Sequence, residues 1–272
     1  MAICIYCRQN ARCTREHVIP SFLYDYVDRT AFPTLSSWNE ASKSQIPVEH
    51  KVKDVCAECN NRHLSALDSY GKEFLSRNNL LRPIYENRLT LNYEYEPLAR
   101  WLLKIAFNAS RASGIVDPIS AAYTAYMLTG ESSPSAKRFF ILVELLRPHL
   151  HDSISEELQP LVNERGESNP FLVRLTRTIF PEGLQERLSI DSVGFGGLFF
   201  HLAFIRNSVP SYEASQLKRR VLADNHWTLL LDRNAKQMKL QASHRNWIEM
   251  RIGQSYREQQ LLSGDDDPFP LR

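Results

Sequence analysis

Two C-x-x-C pairs, "CIYC" at 4–7 and "CAEC" at 56–59, restrict this chain more than any other feature. All five cysteines fall within the first 59 of 272 residues, and Cys13 alone stands outside the pairs. Cysteine thiolates bind Zn²⁺ tetrahedrally, and two such knuckles supply four ligands. A secreted disulfide scaffold would be shorter and would carry cysteines along its whole length. Paired C-x-x-C elements in an intracellular chain point to zinc instead. We therefore expect Cys4, Cys7, Cys56 and Cys59 to enclose a structural Zn²⁺. The long insert between the pairs is tolerable, because loop-closure cost grows only logarithmically with length. Residues 1–60 are poor in apolar side chains, and zinc binding can supply folding free energy directly. Cys13 reads as a small, buried or half-buried thiol.

Hydrophobic residues make up 43% of the chain and charged residues 24%, which predicts a soluble globular protein. No apolar run reaches the length of about 18 residues that a membrane span needs. The opening "MAICIYC" lacks a basic segment followed by a long apolar one, so no secretory signal is read and a cytoplasmic protein without membrane contact is expected. With 33 basic and 31 acidic residues the net charge is +2. That excludes a basic field over the whole molecule and leaves any nucleic-acid contact to a local patch.

Further along, Leu64, Leu67, Gly71, Phe74 and Leu75 recur at helical spacing and predict a helix over 60–77. A second helix is expected over 96–113, with Pro97 in its first turn and Gly114 at its end. "ISAAYTAYML" predicts a third. From residue 138 the pattern turns to β: "RFFILVELL", "FLVRLTRTIF" and "GGLFFHLAFI" are apolar strand-like runs. "HWTLLLD" and "KQMKL", joined by "RNA", read as a hairpin. The fold class is α+β. Residues 1–75 form a zinc module, 76–135 a helical segment, 136–262 an α+β domain and 263–272 a flexible tail. His201 inside "FFHLAF" reads as a satisfied core residue, and the aromatics of "WLLKIAF" as core.

"TREHVIP" places Glu16 and His17 between the knuckles, and Asn60 follows the last cysteine. Zinc would bring the start of the 60–77 helix beside the Glu16-His17 segment. Carboxylate and amide oxygens suit a hard ion such as Mg²⁺ or Mn²⁺. A neutral imidazole beside them can take a proton from water.

"CIYC", "REHVIP" and "VCAECNN", in this order, resemble the zinc-bearing branch of the HNH endonucleases, of the ββα-metal, treble-clef class. The likeness covers about residues 1–70. It implies His17 as the general base, Glu16 and Asn60 as ligands of a catalytic divalent ion, and the four paired cysteines as structural zinc ligands. One position departs from the pattern. The family usually has an Asn shortly before the second knuckle, orienting the loop that carries the base. Here "VEHKVKDVC" offers Glu49, His50 and Lys51, and Asn39 stands farther upstream.

Arg15 and Arg62 are candidates for phosphate contact, since the planar guanidinium fork matches phosphate. His63 shares a helix face with Asn60 and is a third candidate, whereas Asp68 reads as a solvated helix residue. The function expected is metal-dependent hydrolysis of phosphodiester bonds in nucleic acid, DNA in the first place. The alternative is a treble-clef module that binds nucleic acid or a protein without cutting. The C-terminal part is a candidate homodimer surface.

Overall fold

The computed structural model describes residues 1–26, 37–39, 44–46, 51–82, 84, 86–112, 118–147, 173–178, 180, 183–225 and 228–246. Expectations for Glu49, His50 and the 263–272 tail lie outside them. The fold is mixed α+β. Strands β1 (Ala2–Ile3) and β2 (Asn10–Ala11) pair around the first knuckle. Strand β3 (Cys13–His17) is followed by a short 3-10 turn, Ser21–Tyr26, and by β4 (Ser37–Asn39) and β5 (Ser44–Ile46), which pair with each other. Strand β6 (Lys51–Cys56) runs antiparallel to β3, with Cys13 opposite Cys56 and His17 opposite Lys51. The register slips between Thr14 and Glu16, so β6 carries an extra residue there.

A wide π-type turn over Cys59–Leu64 leads into helix α1 (Ser65–Arg77). Leu64, Leu67, Gly71, Phe74 and Leu75, the residues whose spacing predicted the helix, are its buried face. After β7 (Arg88–Asn92) comes α2 (Tyr95–Ala112), the most deeply buried helix. The third expected helix is broken at Tyr123 into α3 (Pro118–Ala122) and α4 (Thr124–Thr129), and left-handed Gly130 ends it.

Strands β8 (Phe139–Arg147), β9 (Val173–Thr178), β10 (Leu188–Phe195) and β11 (Leu198–Ile205), then helix α5 (Ser211–Asp224), β12 (Leu229–Leu230) and β13 (Gln237–Asn246), complete the chain order. The main sheet runs β7-β13-β8-β11-β10-β9, with β12 also on β8. β12 and β13 do not form the expected hairpin. β12 joins the first half of one edge of β8, while β13 reaches the end of β8 and pairs with β7. β8 is buried at eight of its nine positions, so its open edge lies in the interior and must be paired. Strand β10, "LSIDSVGF", was not legible because Ser189, Asp191 and Ser192 interrupt its apolar pattern.

The segment expected to be helical thus also supplies β7, which binds the C-terminal strand β13. A single hydrophobic cluster runs from Cys4 and Tyr6 through α1 and α2 to Phe195, Phe200 and Leu240. Trp101 stacks on Phe195 with ring centroids 5.0 Å apart, and Phe74 meets Phe200 at 6.1 Å. A second cluster lies between α5 and Phe140, Leu142, Ile190 and Ala203 of the sheet. No helix among the described residues is long and apolar enough to cross a membrane.

Gly71 of α1 packs directly against the Trp101 ring of α2. A Cβ there would lie 2.1 Å from Trp101 Cε2. Gly71→Ala should destabilise the protein by about 1–3 kcal/mol through overpacking, despite alanine's better helix propensity. Urea denaturation with unchanged m-value is the check.

Candidate metal centre and adjoining polar site

Cys4, Cys7, Cys56 and Cys59 converge, with all four sulfurs within 4.8 Å of one another. A tetrahedron with Zn–S of about 2.3 Å has sulfurs about 3.8 Å apart. Cys7 Sγ and Cys56 Sγ stand 3.8 Å apart. Backbone N–H groups are aimed at the sulfurs: Cys56 N donates to Cys4 Sγ at 3.3 Å, and Cys59 N to Cys56 Sγ at 3.5 Å. Burial pushes the Cys4 thiol up, but the backbone donors of Cys56, Cys7 and Tyr6 outweigh it and bring it down to about 7. Burial, and then the neighbouring sulfurs, push the Cys59 thiol up. Four thiolates this close repel one another, and a dication at their centre removes that conflict. The residues present fit a structural Zn²⁺. Arg8, just after the first knuckle, takes a left-handed backbone conformation (φ 62°) as the chain turns back toward β2. Cys13 lies outside the cluster, with its Sγ 3.9 Å from the carbonyls of Ala2 and Ala11.

The β3–β6 pair and the helix after it bring Asn60 back against β3. Its Nδ2 donates to Thr14 Oγ1 at 2.9 Å and to the Arg15 carbonyl at 3.1 Å. Asn60 therefore sits beside the segment that carries Glu16 and His17. Those two residues diverge, as successive strand residues do. His17 is half-buried, 6.3 Å from the Tyr24 ring. Glu16 is buried and turned into the protein.

There the Glu16 carboxylate meets Lys104 of α2, Nζ to Oε1 at 2.7 Å. The same ammonium binds Asp68 Oδ2 at 2.5 Å, and Trp101 Nε1 donates to Asp68 Oδ1 at 3.2 Å. Lys104 is 0% exposed. Burial pushes the Glu16 carboxyl above its ordinary range, and Lys104 pulls it partly back. Asp68 is thus a half-buried partner of Lys104 and Trp101, rather than only the solvated residue expected. Asn108, one turn beyond Lys104, donates Nδ2 to the His17 carbonyl at 3.1 Å and to Glu16 Oε1 at 3.4 Å. Its Oδ1 accepts from the Tyr6 hydroxyl at 2.7 Å and from Arg111 at 2.5 Å. Arg111 also binds Asp54 of β6.

A hard cation fits the Glu16–Asn60 pair less well than zinc fits the sulfurs. Glu16 faces Lys104, and Asn60 presents its NH₂ to β3. Among the described residues, no group of three or more His, Cys, Asp or Glu side chains other than the sulfur cluster is placed to hold an ion. Of the expected phosphate contacts, Arg15 is exposed, and Arg62 makes an exposed ion pair with Glu58 at 3.0 Å. His63 instead ties the π-type turn to α4, with Nδ1 3.1 Å from the Leu128 carbonyl. Sequence reasoning missed Lys104, Asn108, Tyr6 and Arg111. The available signal was Lys104 and Asn108 at i, i+4 inside an otherwise apolar run. His201 bears out its core reading: its Nδ1 lies 2.7 Å from Ser192 Oγ and its Nε2 3.3 Å from Glu144 Oε2. No protein-family model, curated protein or solved structure matches this chain.

The protein purified without chelator should carry one zinc per chain by elemental analysis. Cys56→Ser should lose most of it and unfold the module, since three sulfurs hold the ion more weakly. Lys104→Met should destabilise by roughly 3–5 kcal/mol at neutral pH, because Glu16 is left buried and unpaired. Adding Glu16→Gln to that variant should recover part of the loss in chemical denaturation.

Proposed function

We propose that this chain is an HNH-type endonuclease that hydrolyses phosphodiester bonds in DNA, with a treble-clef zinc module as its catalytic part. The observation that carries the reading is one arrangement. An antiparallel strand pair and the helix after it are rooted in four sulfurs, and they hold His17 and Asn60 on neighbouring positions of one module.

In this reading His17 takes a proton from water as the water oxygen attacks phosphorus. The P–O3′ bond breaks in line, and the leaving 3′ oxygen takes a proton from solvent. In this reading the half-buried imidazole of His17 meets the bound strand. Arg15, exposed on β3, meets a phosphate in the same reading. The zinc is structural: enclosed by four sulfurs, it has no open position for substrate. The family resemblance implies Mg²⁺ or Mn²⁺ as a Lewis acid at the phosphate. Glu16 joins its ligands only by turning from Lys104, and no step here depends on that ion.

The buried Glu16–Lys104 pair favours a second reading, a zinc-stapled module that holds nucleic acid without cutting. Plasmid nicking in Mg²⁺ or Mn²⁺, against an EDTA control, separates the two. Nicking supports the endonuclease, while retention of DNA without nicking supports the binding module. His17→Ala should keep its zinc, its fold and its DNA binding and lose about 10²–10⁴-fold in nicking rate. An undiminished rate in that folded variant removes His17 as the base.

A further inference from the structure

We infer that Asn108 of α2, outside the zinc module, is the positioning residue that sets the backbone of His17; the inference rests on the endonuclease reading. Asn108 is 0% exposed, and its amide is fully used. An amide has two N–H donors and two acceptor lone pairs. Here the donors go to the His17 carbonyl and Glu16 Oε1, and the lone pairs receive the Tyr6 hydroxyl and the Arg111 guanidinium. The orientation of the amide follows from its partners. Arg111 can only donate, and the His17 carbonyl can only accept. A flipped amide would lose both bonds.

The partners join three parts of the molecule. Tyr6 lies between Cys4 and Cys7, so the amide oxygen is tied to the first zinc knuckle. Glu16 and His17 end β3, so the amide nitrogen is tied to the strand that carries the base. Asn108 itself is fixed on the buried helix that stacks on the main sheet. The His17 peptide plane is thereby held against the zinc centre and against the core. This is the job of orienting the base-carrying segment, done by a residue far along the chain from "VEHKVKDVC", which has no Asn. A displacement of about 1 Å in a reacting group can cost on the order of 10²-fold in rate.

The test uses the full-length zinc-loaded protein. Asn108→Asp keeps both acceptor contacts and removes both donations. Tyr6→Phe leaves Asn108 in place but takes away one of its anchors. Asn108→Asp should lower kcat for nicking by about 10–100-fold, with KM and zinc content unchanged. Tyr6→Phe should lower kcat several-fold in the same way. A residue that only packs the helix would leave kcat at the wild-type value in both folded variants, and that result overturns the inference. If Asn108→Asp fails to fold, Tyr6→Phe decides by the same criterion. If wild type does not nick DNA, the endonuclease reading fails by itself. The positioning is then judged from the His17 ring signals in NMR spectra. They should shift in the folded variants, and unmoved signals overturn it.

Discussion

Four sulfurs drawn from the two ends of a segment of more than fifty residues meet within 4.8 Å, and the rest of the N-terminal part hangs from that meeting. The β3–β6 pairing places Cys13 opposite Cys56, so the strand register and the metal centre fix each other. The π-type turn begins at Cys59 and delivers Asn60 back to β3 within one residue of the last ligand. Without a cation the cluster is four mutually repelling or costly buried thiols. With one, its binding free energy is folding free energy.

The inner side of the module is closed by α2, through a polar joint inside an otherwise apolar core. Lys104, Asn108 and Arg111 follow one another at helical spacing and meet Glu16, Asp68, Tyr6 and Asp54. Such buried pairs contribute little net stability, because desolvation offsets much of the attraction. What they contribute is uniqueness of fit. An apolar helix face could slide against the module, whereas the Asn108 amide has a single satisfactory position. The module is therefore not an appendage on the larger part. One hydrophobic cluster runs from Cys4 through α2 to Leu240.

The legible parts of the sequence were those whose signal is local. The spacing of Leu64, Leu67, Gly71, Phe74 and Leu75 specified the buried face of α1, and the paired cysteines specified the cluster. β10 escaped because its polar residues are satisfied by side chains of the flanking strands β9 and β11. Asp191 is bound by Arg177 and Ser192 by His201, so polar letters stand where a buried strand should be apolar. The hairpin expectation failed for the converse reason. β12 and β13 are adjacent in sequence, but the buried edge of β8 offers both of them more than they offer each other. Glu16 looked like a metal ligand because its neighbours along the chain are a histidine and a zinc knuckle. Its neighbour in space, Lys104, lies 88 positions away and carries no mark in the sequence beyond being a charge in an apolar run.

That divergence of Glu16 and His17 bears on how His17, the proposed base, can be both fixed and accessible. Adjacent residues of a strand face opposite sides, so one faces the interior when the other faces out. Glu16 is locked inward by Lys104 and Asn108, and His17 is left half-exposed on the outer side. Asn108 supplies rigidity to this segment through the His17 backbone carbonyl. The His17 carbonyl is held by Asn108 on one side, and the neighbouring Glu16 carboxylate by Lys104 on the other. The bulge in β6 opposite this point lets the strand turn its last residues without giving up the pairing that ends at Cys56. Precision at His17 therefore depends on how well the core holds α2, and the whole sheet lies within reach of the site through that one helix.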